Sequence, residues 1–91
     1  MSPDALPKLG KGVKLRNDRD GSVMLLVPEG ALVLNRSAAA ALALVDGRRS
    51  LENIIEAVVE LFDVTPERAA SDLHELFERL EQRGFVIDDR S

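Results

Sequence analysis

Two short apolar runs, Val23-Met24-Leu25-Leu26-Val27 and Ala31-Leu32-Val33-Leu34, are separated by Pro28-Glu29-Gly30. Strand-like length, Val and Leu content and the Pro/Gly break predict two antiparallel strands joined by a tight connection. Pro28 lacks an N–H and suits a strand end. Neither run alternates apolar with polar residues, so each strand carries apolar side chains on both faces. A sheet backed by helices on one side needs only one apolar face. The surplus requires a cover: a partner segment, the chain's own termini, or a second copy. Upstream, residues 13–17 do alternate, with Val13 and Leu15 inward and Lys14 and Arg16 outward, and Asp18-Arg19-Asp20-Gly21 forms the turn into the second strand. Three short antiparallel strands result.

Helical periodicity takes over after Asn35, whose side-chain oxygen can accept one of the free N–H groups of the next turn. An alanine-rich helix is expected over 36–45, stopped by Asp46-Gly47. Ser50 caps a second helix over 51–62, with Leu51, Ile54, Ile55, Val58 and Phe62 inward and Glu52, Glu56 and Glu60 in water. Thr65-Pro66-Glu67 opens a third, placing a cap, an N1 proline and an acid at the positive end of the dipole. Its inward stripe is Ala69, Leu73, Leu76, Phe77 and Leu80, and Arg83-Gly84 closes it. The apolar Phe85-Val86-Ile87 reads as a stub of strand folding back onto the core. Residues 1–9, polar with Pro3 and Pro7, read as a loosely ordered tail, 10–88 as a single domain and 89–91 as a C-terminal tail. The fold class is α+β, a three-stranded antiparallel sheet followed by three α-helices.

Composition narrows the function. With 45% hydrophobic and 31% charged residues, the 91-residue chain is that of an ordinary folded domain. It contains no cysteine, which excludes disulfides and thiolate metal sites. No signal-like segment or membrane-length apolar run is present, so a cytoplasmic location is the default. The net charge of −4 is uneven: through Asn35 five cations oppose four acids, and thereafter seven Arg oppose twelve acids. An acidic helical half is ill suited to a nucleic-acid backbone. A winged-helix nucleic-acid regulator is therefore the second reading, since the third helix carries five acids against three arginines and the chain has no Tyr or Trp for base stacking.

Catalytic constellations are sparse. His74 and Glu78 stand four apart on the third helix, but two ligands without a third make a poor metal site, and His74 reads as a solvated helix residue. Asp88 and Asp89 read as solubility charges. Gly10-Lys11-Gly12 lacks phosphate-loop spacing. A non-enzymatic binding domain remains, and a free strand edge beside an apolar helix stripe is suited to adding a strand from a partner.

Several stretches resemble the PqqD family of pyrroloquinoline quinone (PQQ) biosynthesis proteins. They are Pro7-Lys8-Leu9, Gly12-Val13-Lys14-Leu15, Leu25-Leu26-Val27-Pro28-Glu29, Leu34-Asn35 with Ala38, and Leu42-Ala43-Leu44-Val45-Asp46-Gly47. Asp72-Leu73 with Leu76, Leu80 and Arg83-Gly84-Phe85-Val86 completes the series, which runs in order over nearly the whole chain. The resemblance implies a winged-helix-like recognition element of the kind used by many peptide-modifying systems. It implies a non-catalytic chaperone without a cofactor, which binds the ribosomal precursor peptide PqqA and presents it to PqqE, the radical SAM enzyme that cross-links its Glu and Tyr side chains. In that family the leader peptide adds beside the third strand and packs on the third helix. Carried over, the peptide-binding residues are Ala31, Leu32, Val33 and Leu34 on the strand and Asp72, Leu73, Leu76, Phe77, Leu80 and Arg83 on the helix. A homodimer is a further expected use of the same apolar surplus.

Overall fold

A computed structural model describes residues 1–90. Ser91, the last residue of the expected C-terminal tail, lies outside the described residues. The chain runs β1 (Pro7–Leu9), β2 (Lys14–Asn17), β3 (Val23–Val27), β4 (Gly30–Leu34), α1 (Arg36–Ala43), α2 (Leu51–Leu61), α3 (Pro66–Gln82) and β5 (Val86–Asp88). Strands β2, β3 and β4 form an antiparallel sheet in that order, and β1 pairs with β5 in a second sheet of two strands. The α+β class and the meander followed by three helices agree with the sequence pattern.

The helices begin where their caps dictate. The Asn35 side-chain oxygen accepts from the Ala38 N–H at 2.8 Å, the Ser50 hydroxyl from Asn53 at 3.1 Å and the Thr65 hydroxyl from Arg68 at 3.4 Å. Helix α1 ends earlier than its apolar pattern suggests. Leu44 turns its N–H onto the Ala41 and Leu42 carbonyls, and Asp46 then draws the Arg48 and Arg49 N–H groups onto one carboxylate oxygen at 2.8 and 2.9 Å. These local bonds compete with continued helix. Phe62 likewise leaves α2 in an extended conformation and lies half-buried under the Arg36 guanidinium, 5.6 Å from its ring centroid.

The core joins all layers. Leu25 from the sheet, Leu42 from α1, Leu51, Ile54 and Val58 from α2, Phe77 from α3 and Val86 from β5 are all at most 1% exposed. On the sheet, Leu25 and Val27 of β3 face this core, and Leu25 pairs with Leu15 of β2 and Leu32 of β4.

The expectation of a loosely ordered segment over 1–9 does not hold. Pro7 pairs with Asp88 and Leu9 with Val86, and Ala5 is fully buried. The cause is the start of α2, whose first N–H groups have no partner within the helix. Leu51 N–H donates to the Ala5 carbonyl at 2.9 Å and Glu52 N–H to the Pro3 carbonyl at 3.1 Å. The prolines, which read as signs of looseness, suit this role. Pro7 is fully buried and, having no N–H, leaves no unpaired donor there, while its carbonyl accepts from Gly47 at 2.8 Å.

Asp88 also departs from its expected role as a solubility charge. Its Oδ1 accepts from the Leu6 N–H at 3.0 Å, and Asp89 N–H returns to the Leu6 carbonyl at 2.8 Å. The Leu6 N–H, followed by the Arg90 N–H and guanidinium, holds the Asp88 carboxyl below the ordinary aspartate value of 3.8. At the other end of β1, Gly10 N–H donates to the Phe85 carbonyl at 2.8 Å, and a Cβ on Gly10 would collide with the Gly84 carbonyl. Only glycine fits so close a crossing of two backbones.

Candidate peptide-binding site

Strand β4 is an edge of the three-stranded sheet, with β3 on one side only. Which of its groups are free follows from the register. Asp18 N–H donates to the Ser22 carbonyl at 2.9 Å, which makes Asp18 and Ser22 a hydrogen-bonded pair at the end of the β2–β3 hairpin. Bonded and non-bonded pairs alternate along an antiparallel ladder. Met24 and Leu26 therefore bond toward β2, and Val23, Leu25 and Val27 toward β4, where they face Leu34, Leu32 and Gly30. The N–H and C=O groups of Ala31 and Val33 are left pointing away from the sheet. They form a short main-chain edge that is unpaired among the described residues.

Beside this edge lies a groove of about 300 Å³ lined by Leu32, Val33, Leu34, Leu76, Arg79, Leu80 and Arg83. Its α3 side is built on the spacing 76, 79, 80, 83, which puts four side chains on one face of a helix. Leu80 is 3% exposed and anchors the floor in the core, whereas Val33 is 75% exposed at the lip. A second depression of about 220 Å³ shares Leu76 and Arg79 with the first and continues past Asn35, Ser37 and Ala38 to Asp72, Leu73 and Glu75. The two make one trough between α3 and the β4–α1 corner.

Most of the residues expected to bind peptide meet here. Leu32, Val33, Leu34, Leu76, Leu80 and Arg83 line the groove itself, and Asp72 and Leu73 line its continuation. Ala31 lies outside the lining but supplies edge groups. Phe77 is the exception: it is fully buried, turned to the opposite side of α3 where it fills the core, and has no surface to offer a partner. Within the first groove, Arg79 is the residue that sequence reasoning missed; in the continuation it missed Asn35, Ser37, Ala38 and Glu75 as well. Arg79 was legible in principle, since it stands three residues after Leu76 and four before Arg83.

The chemistry on offer is that of binding. The trough combines main-chain hydrogen-bonding groups, an apolar floor and two exposed arginines, Arg79 and Arg83. Among the described residues no polar or charged side chain is buried, and no group of three or more His, Cys, Asp or Glu is placed to hold a metal ion. His74 is half-buried on α3 and outside the trough lining.

With this geometry in view, comparison with known proteins is decisive. The family model for coenzyme PQQ synthesis protein D (PqqD) matches residues 22–86. The chain belongs to the PqqD family. It is 33% identical over 87 residues to the PqqA binding protein of Rhizobium meliloti, covering 94% of this chain and 89% of that one. It is also 33% identical over 84 residues to the bifunctional coenzyme PQQ synthesis protein C/D of Methylorubrum extorquens, where 91% of this chain aligns with 23% of the longer protein. Among solved structures, the solution NMR structure of the PqqD part of Methylobacterium extorquens PqqCD superposes with a TM-score of 0.73 at 31% identity, covering 96% of this chain and 99% of that one. That protein is described as a functional, stand-alone recognition element for ribosomally synthesised and post-translationally modified peptides (RiPPs). The PqqD fold thus runs through β1 and β5 as well as the part matched by the family model.

Proposed function

We propose that this PqqD-family protein is a non-catalytic chaperone of PQQ biosynthesis that binds the precursor peptide PqqA as an added strand. The observation that carries the reading is the free edge of β4, with Ala31 and Val33 unpaired, lying against the apolar groove of α3. An extended peptide can take its register from main-chain hydrogen bonds to such an edge and its specificity from side chains set into the groove. The relatives named PqqA binding protein support the choice of peptide. The fused relative supports a place beside other enzymes of the pathway. Presentation of the bound peptide to the radical SAM enzyme PqqE is the finer part of the proposal. Pairing of two copies through the same edge would compete with it.

The test is a titration of isotopically labelled protein with synthetic PqqA. Amide shifts should concentrate in Gly30–Leu34 and in the second half of α3. Leu76→Asp, which puts a charge on the groove floor at a half-buried surface position, should abolish most of the response while the circular dichroism stays native. Duplex DNA at physiological salt should produce no shifts. Shifts confined to the other sheet, or a response to DNA and none to peptide, would overturn the assignment.

A further inference from the structure

Resting on the peptide-binding reading, we infer that Arg79 and Arg83 form an acid-reading position in the groove, so that the bound segment must carry an Asp or Glu side chain beside its apolar anchor. Helix α3 is otherwise acidic, with Glu67, Asp72, Glu75, Glu78 and Glu81 against Arg68, Arg79 and Arg83. Arg68 lies 4.0 Å from Asp72. Arg79 and Arg83, by contrast, take part in none of the ion pairs or side-chain hydrogen bonds among the described residues, although acids stand on the same helix. Both residues instead line the groove with Leu32, Leu76 and Leu80. Two unpaired cations at the rim of an apolar trough suit a carboxylate that arrives with a partner, because arginine offers a rigid fork of donors that fits a carboxylate.

The spacing supports the pairing. Four residues of helix rise about 6 Å, and two residues of strand advance about 6.6 to 6.8 Å. Arg79 and Arg83 therefore repeat at nearly the same interval as successive same-face side chains of an added strand. Beyond Arg79 the trough changes sign, since Asp72 and Glu75 line its continuation. An acid placed at that end would be repelled. The acidic side chain is thus directed to the Arg79–Arg83 end, and the charge gradient helps to fix where along β4 the peptide sits.

The experiment compares PqqA with a copy in which every Asp and Glu is replaced by Asn or Gln, each titrated against the parent protein and the double variant Arg79→Gln/Arg83→Gln. Two exposed ion pairs correspond to a change in affinity of roughly two- to thirtyfold at low salt. The neutralised peptide should bind the parent more weakly than PqqA does by a factor in that range, and it should bind parent and double variant alike. PqqA should lose the same factor on the double variant, and the loss should shrink as salt rises. Lys14→Gln, an exposed cation on β2, should leave both affinities unchanged and so separates a local effect from overall charge. Equal binding of PqqA by parent and double variant would overturn the acid-reading position while leaving the peptide-binding reading intact. Failure of PqqA to bind the parent would overturn both.

Discussion

At the scale of single residues, neighbours on β4 have opposite roles that their chemistry does not reveal. Leu32 and Val33 are both apolar and both at the groove, yet the Leu32 N–H bonds inward to β3 and the Val33 N–H points out. Proline removes an N–H and is tolerated in an edge strand only where that group faces solvent. Val33→Pro should therefore keep a native circular dichroism spectrum and lose PqqA affinity by roughly tenfold, since a lost hydrogen bond is worth about 1 kcal/mol and the ring also obstructs the approaching strand. Leu32→Pro should instead lower the melting temperature, because it breaks the pair with Leu25 in the sheet. Equal affinity of Val33→Pro and the parent would remove β4 as the docking edge. Sequence alone could not assign these roles. Alternation of inward and outward groups depends on register, and here its phase follows from the Asp18–Ser22 bond in the turn between β2 and β3. The apolar surplus of residues 31–34 was legible, because it needed only a count of faces.

At the scale of elements, the pieces that local chemistry governs match the sequence pattern closely. Three caps, the N1 proline of α3 and the glycine after it all act over a few residues, so their signals sit next to their effects. The β1–β5 pair is different. Its strands have three residues each and come from opposite ends of the chain; Phe85-Val86-Ile87 reads as a stub of strand, but residues 7–9 have too little periodicity to announce its partner. The Asp88 carboxylate is one of its fasteners, and its titration is measurable. Because its folded value lies below the ordinary 3.8, the stability it contributes is present above that value and is lost as pH falls through the lowered one. Asp88→Asn keeps an oxygen for the Leu6 N–H but does not titrate. Its melting temperature should start below that of the parent near neutral pH and fall less as pH drops through 3.8 and below. Some decline should persist, because hydrogen bonds to Ser22 and to the Arg48–Arg49 turn also lower Asp20 and Asp46. Parallel curves for parent and variant would show that Asp88 contributes no pH-dependent stability.

For the molecule as a whole, the binding trough and the N-terminal segment are linked although they share no lining residue. Helix α3 forms one wall of the trough, β5 packs against α3, and β1 holds β5 in place. The same segment closes the start of α2 through the Ala5 and Pro3 carbonyls and seats the Gly47 turn through Pro7. Removing residues 1–9 would leave those N–H groups without partners and expose Val86, which is fully buried. Each hydrogen bond exchanged for water costs about 0.5–1.5 kcal/mol, the lost apolar burial adds to it, and an ordinary domain of this length is stable by roughly 5–13 kcal/mol. The truncated protein should therefore unfold at a clearly lower urea concentration and bind PqqA more weakly, even though no residue that touches the groove has been removed. Weaker binding should track the loss of stability and recover at low temperature wherever the fold is fully populated. A truncation with an unchanged urea midpoint would mean that the segment only decorates the fold. Unchanged stability with lost binding would instead place the N-terminus in direct contact with the peptide.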